Sequence, residues 1–363
     1  MKKIAIEEHC QPQCFLDHFQ SRKGYPRLES VADERGQKAW RWWSSAEEYR
    51  TWLAPACVDR MRDIGEGRLR DMDEAGIDMQ VLSSPTFVDE QDAEEGADFA
   101  RKVNDAVAAA IRKHPDRFAG FATLCLKDPK SAAVELERAV KHLAFKGTMI
   151  ASHVHGEFLD AGRFRPFFEK AARLDVPVYI HPAFPPADRR KQYAGYHELT
   201  GAMWGFAAEA GLAAVRLICS GIFDEFPGLK IILGHMGEGL PFWMSRLDNR
   251  MQTPNLISPT NLELQAGADA RPLADKLKKL PSQYIHDHFF ITVSGVHSVP
   301  ALHCARLALG ADKILFAADY PMESNREAVR FMETAPIPDS DKEKIFHSNA
   351  ERLLGLRSPQ KSG

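Results

Sequence analysis

Residues 2–9 read KKIAIEEH, a short aliphatic run that ends in two carboxylates and an imidazole. Successive side chains on a strand face opposite sides, so Glu7 and His9 share one face and Glu8 takes the other. Seven more segments of this kind follow: MQVLSS (79–84), FAGFATL (118–124), GTMIAS (147–152), VPVYIHP (176–182), KIILGHM (230–236), FFITVSG (289–295) and ILFAADYP (314–321). Most precede a stretch with helical apolar spacing, as in Ala100, Val103, Val107, Ala110 and Ile111. Asp128 and Pro129 read as the N-cap and first residue of another helix, whose apolar stripe is Leu136, Val140 and Leu143. Eight such alternations predict an α/β fold, a distorted (β/α)₈ TIM barrel of parallel strands. No glycine-rich phosphate fingerprint follows the first strand, which disfavours an open dinucleotide-binding sheet.

The expected organisation is one barrel domain over residues 1–356, with RSPQKSG (357–363) as a frayed tail. Two regions break the alternation. Residues 20–60 form a long inserted arm after the first strand, carrying Trp40, Trp42, Trp43, Tyr49 and Trp52. These rings either pack the arm onto the barrel or a neighbouring subunit, the favoured reading, or form a lid over a planar substrate. The second irregular stretch, roughly 252–271, carries Pro254, Asn255, Pro259, Asn261 and Gly267.

Composition narrows the function. The 363 residues are 44% hydrophobic and 27% charged, enough to bury a substantial core. With 47 basic against 50 acidic residues and a net charge of -3, no electrostatic footprint points to nucleic acid or an anionic membrane. No uncharged apolar stretch has the length of a bilayer span, and the N-terminus lacks the apolar core of a signal peptide. The six cysteines are scattered without a Cys-x-x-Cys pair, as expected of reduced thiols in a cytoplasmic protein.

In such a barrel the C-terminal strand ends converge on one mouth. Glu7 and His9 end the first strand, His181 the fifth, His235 the sixth and Asp319 the eighth. A mixed set of carboxylates and imidazoles without cysteine suits one catalytic Zn²⁺ or Mn²⁺ better than a structural zinc.

The motifs IAIEEH (4–9), YIHP (179–182), GHMGEGLP (234–241) and FAADYP (316–321) resemble those of the amidohydrolase superfamily. The likeness is to its metal-dependent decarboxylase branch, which includes γ-resorcylate, 2,3-dihydroxybenzoate, 5-carboxyvanillate and aminocarboxymuconate semialdehyde decarboxylases. It extends through DMDEAGID (71–78), HPDRFAGFATL (114–124) and SGIFDEFPGLKIILGHMGE (220–238). The resemblance implies that Glu7, His9, His181 and Asp319 hold the metal, that His235 with Glu238 contacts substrate or a metal-bound water, and that Arg246 binds substrate. Some members supply a further arginine from the arm, for which Arg50 and Arg60 are the candidates here. Where two-metal relatives carry a lysine at the end of strand four, this chain has Ser152 and His153, so a mononuclear site is expected.

The chemistry implied is non-oxidative decarboxylation of a hydroxylated aromatic acid, with Asp319 protonating the ring carbon that bears the carboxylate. The alternative is hydrolysis of a lactone, ester or ring-cleavage product by the same residues. His153, Phe184 and Tyr320 are further candidate substrate contacts, with His155, Trp204 and Phe206 near the same mouth. The family habit predicts a homodimer or homotetramer.

Overall fold

The computed structural model describes residues 1–32, 36, 38–51, 55–84, 87–253 and 273–356. Trp52, nearly all of the 252–271 stretch and the 357–363 tail therefore lie outside the described residues, as does the side chain of Arg50. Parallel strands occupy all eight of the expected segments: β1 (Ile4–His9), β2 (Met79–Ser83), β3 (Phe118–Gly120 with Ala122–Thr123), β4 (Thr148–Ala151), β5 (Val178–His181), β6 (Ile231–Leu233), β7 (Phe289–Thr292) and β8 (Ile314–Leu315). They neighbour one another in chain order. The first part of β3 pairs with β2 and the second with β4, the break falling at Phe121. Beyond its paired residues β8 runs on beside β1: Glu8 and Tyr320 form a parallel bridge, and Ile6 N and His9 N donate to the carbonyls of Phe316 (3.1 Å) and Tyr320 (2.7 Å).

Alternation along each strand separates two buried faces. Ile4, Ile6, Val81, Phe121, Met149, Tyr179, Ile232 and Leu315 pack together as one cluster, which helix Asn349–Leu354 joins through Ala350, Leu353 and Leu354. The intervening Ala5, Leu82, Ile150, Ile180, Leu233, Ile291 and Phe316 pack outward beneath the helices. Strands buried on both faces read as nearly continuous apolar runs, which is why these segments stand out in the sequence. Helix Ala93–Lys113 buries Ala100, Val103, Val107 and Ala110 as its spacing requires, and Asp128 caps helix Pro129–His142 through the amides of Lys130 and Ser131.

After β1 comes helix Gln13–Ser21, then an antiparallel sheet of Arg27–Ala32, Lys38–Trp43 and Tyr49–Thr51. Trp40 and Trp42 are buried in the main core, Trp42 against Phe19 (4.6 Å between ring centroids) with its indole N–H on Glu90 (3.0 Å). Packing, the favoured reading of these rings, is what both make.

His197–Cys219 is apolar and long enough to cross a membrane by composition alone, with a mean hydropathy of 1.4. Its helical part, Gly205–Cys219, is a packed element of this fold and carries the buried Glu209, paired with Arg189 (2.8 Å). All six cysteines are free.

Candidate metal centre and active site

A one-residue register shift in β1, between Ala5 and Glu8, reverses the facing of everything after it. Ile6 and Glu7 consequently both face the inner side, Glu8 turns out toward Gln80, and His9 comes back in. Glu7 is fully buried and held by hydroxyls at and just beyond the end of β7: Ser294 Oγ donates a short hydrogen bond to its Oε2, and Thr292 Oγ1 donates from 3.4 Å. Gly234 leaves room for it, since a Cβ there would stand 3.3 Å from both carboxylate oxygens and 3.0 Å from the Tyr179 hydroxyl.

The two imidazoles are oriented alike, each with Nδ1 engaged away from the centre. His181 Nδ1 donates to the Pro182 carbonyl (2.8 Å) and His9 Nδ1 lies 3.3 Å from Ser83 Oγ, which leaves both Nε2 lone pairs for the centre. Burial, reinforced by the neighbouring His9, pushes His181 down to about 3, so it stays neutral. Glu7, His9 and His181 present ligand atoms all within 4.8 Å of one another.

Asp319 lies beside this group, in the turn after β8. Its Oδ1 is 3.0 Å from His9 Nε2 and its Oδ2 is 3.8 Å from His235 Nε2. Burial alone would raise this carboxyl, but the neighbouring His235 and His9 imidazoles outweigh it and hold the group well below the usual carboxylate range. His235 Nδ1 is bonded to Glu238 (2.8 Å). Burial opposes the His235 charge, yet the carboxylates of Glu238, Glu7 and nearby Asp319 raise its pKa well above the ordinary histidine value. The loop carrying this pair is tightly wound: His235, Met236 and Glu238 all have positive φ (50°, 56° and 53°). Gly237 is required there, because a Cβ would come 2.7 Å from Ile291 Cγ2.

These residues fit a divalent cation. Glu7 Oε1 and His9 Nε2 are buried with no hydrogen-bond partner, a costly state for two polar atoms unless a ligand meets them. Two donors bound at ~2.1 Å and at right angles on one ion stand roughly 3 Å apart, the spacing seen between His9 and Asp319.

The remaining sequence candidates are placed differently. Both ring nitrogens of His153 engage backbone, Nδ1 accepting from Gly156 N (3.1 Å) and Nε2 donating to Phe184 O (3.1 Å). His155 Nε2 bonds the Asp89 carbonyl (2.7 Å). Tyr320 turns away from the ligands: its hydroxyl donates to Asp71 (2.5 Å) and its ring lies under the Arg68 guanidinium (4.7 Å). Phe184 is partly exposed, with its ring 4.8 Å from that of Phe206. Arg246 stands on the exposed side of helix Leu240–Gln252, and Arg60 lines a cleft of about 270 Å³ beside Tyr320. Ser152 Oγ is engaged by Ala183 N (3.1 Å).

The fold and this cluster agree with what related proteins are. A family model described as Amidohydrolase matches residues 36–356, and the chain belongs to that family. The γ-resorcylate decarboxylase of Polaromonas sp. (strain JS666) is 37% identical over 98% of each chain. Among solved structures, 5-carboxyvanillate decarboxylase from Sphingomonas paucimobilis superposes with a TM-score of 0.81 at 35% identity, covering 98% of this chain and 99% of that one. A dihydroxybenzoic acid decarboxylase from Polaromonas sp. JS666, with bound manganese and the inhibitor 2-nitroresorcinol, gives a TM-score of 0.80 at 34% identity over 98% of each chain.

Proposed function

We propose that this protein is a metal-dependent decarboxylase of a hydroxylated aromatic carboxylic acid, using one divalent ion, Zn²⁺ or Mn²⁺, held by Glu7, His9, His181 and Asp319. The observation that carries the mechanism is the double engagement of Asp319, one oxygen toward His9 and the other toward His235. When bound, the ion would supply Lewis-acid stabilisation of negative charge on the substrate. Asp319 takes a proton from the bound substrate's hydroxyl or from water, with His235 and Glu238 supporting the transfer, and delivers it to the ring carbon bearing the carboxylate. The bond to the carboxylate carbon then breaks, its electron pair restores aromaticity, and CO₂ leaves. Arg246 binds a substrate anion by paired hydrogen bonds. No observation favours the hydrolytic alternative, whereas the relatives named above are decarboxylases.

The same reading takes the eight strands as a closed barrel, residues 1–356 as one catalytic domain and residues 20–60 as an inserted arm. The backbone bonds between β1 and the segment after β8 support closure. We further infer a cytoplasmic homo-oligomer. Met203, Trp204, Phe242 and Trp243 are all exposed near the starts of the helices that follow β5 and β6, the kind of apolar surface a subunit contact covers. Incubation with candidate hydroxybenzoates in D₂O tests the function: CO₂ release with deuterium at the vacated ring carbon supports it. Turnover of an ester or lactone without CO₂ from any aromatic acid would replace it with hydrolysis.

A further inference from the structure

Glu8 lies between two metal ligands in sequence, is fully buried, and faces away from the metal group. Its carboxylate is surrounded by donors. Oε1 accepts from Ala318 N (2.8 Å), and Oε2 accepts from Tyr320 N (3.3 Å) and Gln80 Nε2 (3.2 Å). The two amides flank Asp319, whose φ of 65° is a left-handed conformation that aspartate adopts only with local support. The amide of Asp319 itself donates to the Glu7 carbonyl (3.0 Å). Three consecutive amides of this turn are therefore held by Glu7 and Glu8.

The network continues to the other side of the metal group. Gln80 Oε1 accepts from Arg68 Nη1 (3.2 Å), and Arg68 Nη2 donates to the His9 carbonyl (2.6 Å). Arg68 is wholly buried and fixed by Nε on the Asp63 carbonyl (2.9 Å) and by its stack on Tyr320. One chain of side chains thus ties the backbone of His9 to the backbone on both sides of Asp319, the pair whose side chains meet at 3.0 Å.

We propose that Glu8 is a positioning residue for the reaction: by holding the amides on both sides of Asp319, in register with His9 through Gln80 and Arg68, it fixes the pose in which Asp319 meets metal and ring carbon. This rests on the proposed role of Asp319. A carboxylate that only neutralises buried Arg68 and satisfies the core would leave that pose indifferent to which atom of the network carries the charge.

The test uses Glu8→Gln and the exchange Glu8→Gln/Gln80→Glu in the metal-loaded enzyme, with Asp319→Asn alongside. Glutamine keeps one acceptor and places an N–H₂ against a backbone amide, so one of the two flanking bonds is lost. Glu8→Gln should lower kcat about 10- to 100-fold with KM within about twofold, and weaken Mn²⁺ binding to the apo protein, measured by titration calorimetry, by about 10-fold. The exchange variant keeps the buried charge beside Arg68 and should recover thermal stability but not kcat. Recovery of kcat in that variant, or wild-type kcat and Mn²⁺ affinity in Glu8→Gln, would overturn the proposal. Should Glu8→Gln fail to fold, the exchange variant carries the same comparison. If Asp319→Asn retains turnover, it is the reaction assignment that falls; if it loses turnover while Glu8→Gln retains it, only the positioning role falls.

Discussion

His9 Nε2 and Asp319 Oδ1 stand 3.0 Å apart across the joint between the first strand and the turn after the last, although 310 residues separate them in the chain. That single spacing links the metal group to the residue assigned the proton. The His181 ring stands edge-on to His9, 4.8 Å between centroids.

Removing a ligand should remove the metal. His181→Ala is expected to lose Mn²⁺ affinity by more than the ~10–100-fold typical of an outer contact, and to lose turnover in proportion. Chelation of the wild type should abolish activity, with recovery on adding Mn²⁺ or Zn²⁺. Full activity and metal content in His181→Ala would remove this residue from the site.

Much of this site is legible in the sequence. Eight strands show because both faces are buried, so each reads as an apolar run, and Glu7, His9, His181, His235 and Asp319 show because they terminate such runs. The register shift in β1 was not legible; the equal spacing of Glu7 and His9 hides that Ile6 and Glu7 share a face. Nor did the sequence reveal that β8 ends its regular pairing with β7 at Leu315 and continues beside β1, with Phe316 O accepting from Ile6 N while Phe316 N donates to Ile345 O. Ser294, Thr292 and Ser83 were missed as supports of the ligands, since hydroxyls at strand ends carry no signal of their own. The engagement of Tyr320 by Asp71 and Arg68 depends on partners about 250 residues away.

Arg246 is expected to act on substrate and not on metal. Loss of a paired, charge-assisted contact with Arg246→Ala should raise KM roughly 10- to 100-fold while leaving Mn²⁺ affinity unchanged. Steady-state kinetics with apo-protein titration separates the two, and an unchanged KM would remove Arg246 from the substrate site.

Trp42 tests whether the arm's rings pack or cover. Its burial and its bond to Glu90 imply that Trp42→Ala costs about 3–5 kcal/mol of stability, with KM of the folded enzyme little changed. Denaturant unfolding combined with kinetics checks this; a raised KM at undiminished stability would favour a lid.

Asp89 gives stability a pH dependence of its own. Burial pushes its carboxyl up to about 7, against hydrogen bonds from the Leu126 and Lys127 amides that pull it down. An unfolded aspartate titrates near ~3.9, so the folded state binds this proton more tightly. Its contribution is full below that value and is lost as pH rises toward about 7. Asp89→Asn keeps an acceptor for Leu126 N (2.5 Å) and removes the titration. The variant should lose less stability than wild type between pH 5 and 7.5 in urea unfolding, and parallel losses would contradict the assignment.

Deuterium transfer in D₂O, compared between wild type and metal-loaded Asp319→Asn, tests the central claim most directly. With its hydroxylated aromatic substrate the wild type should release CO₂ and place one deuterium on the vacated ring carbon, while Asp319→Asn, which keeps an oxygen donor for the ion but no carboxyl proton to deliver, should retain metal and form no product. Turnover by Asp319→Asn within tenfold of wild type, with the same labelled product, would contradict the account.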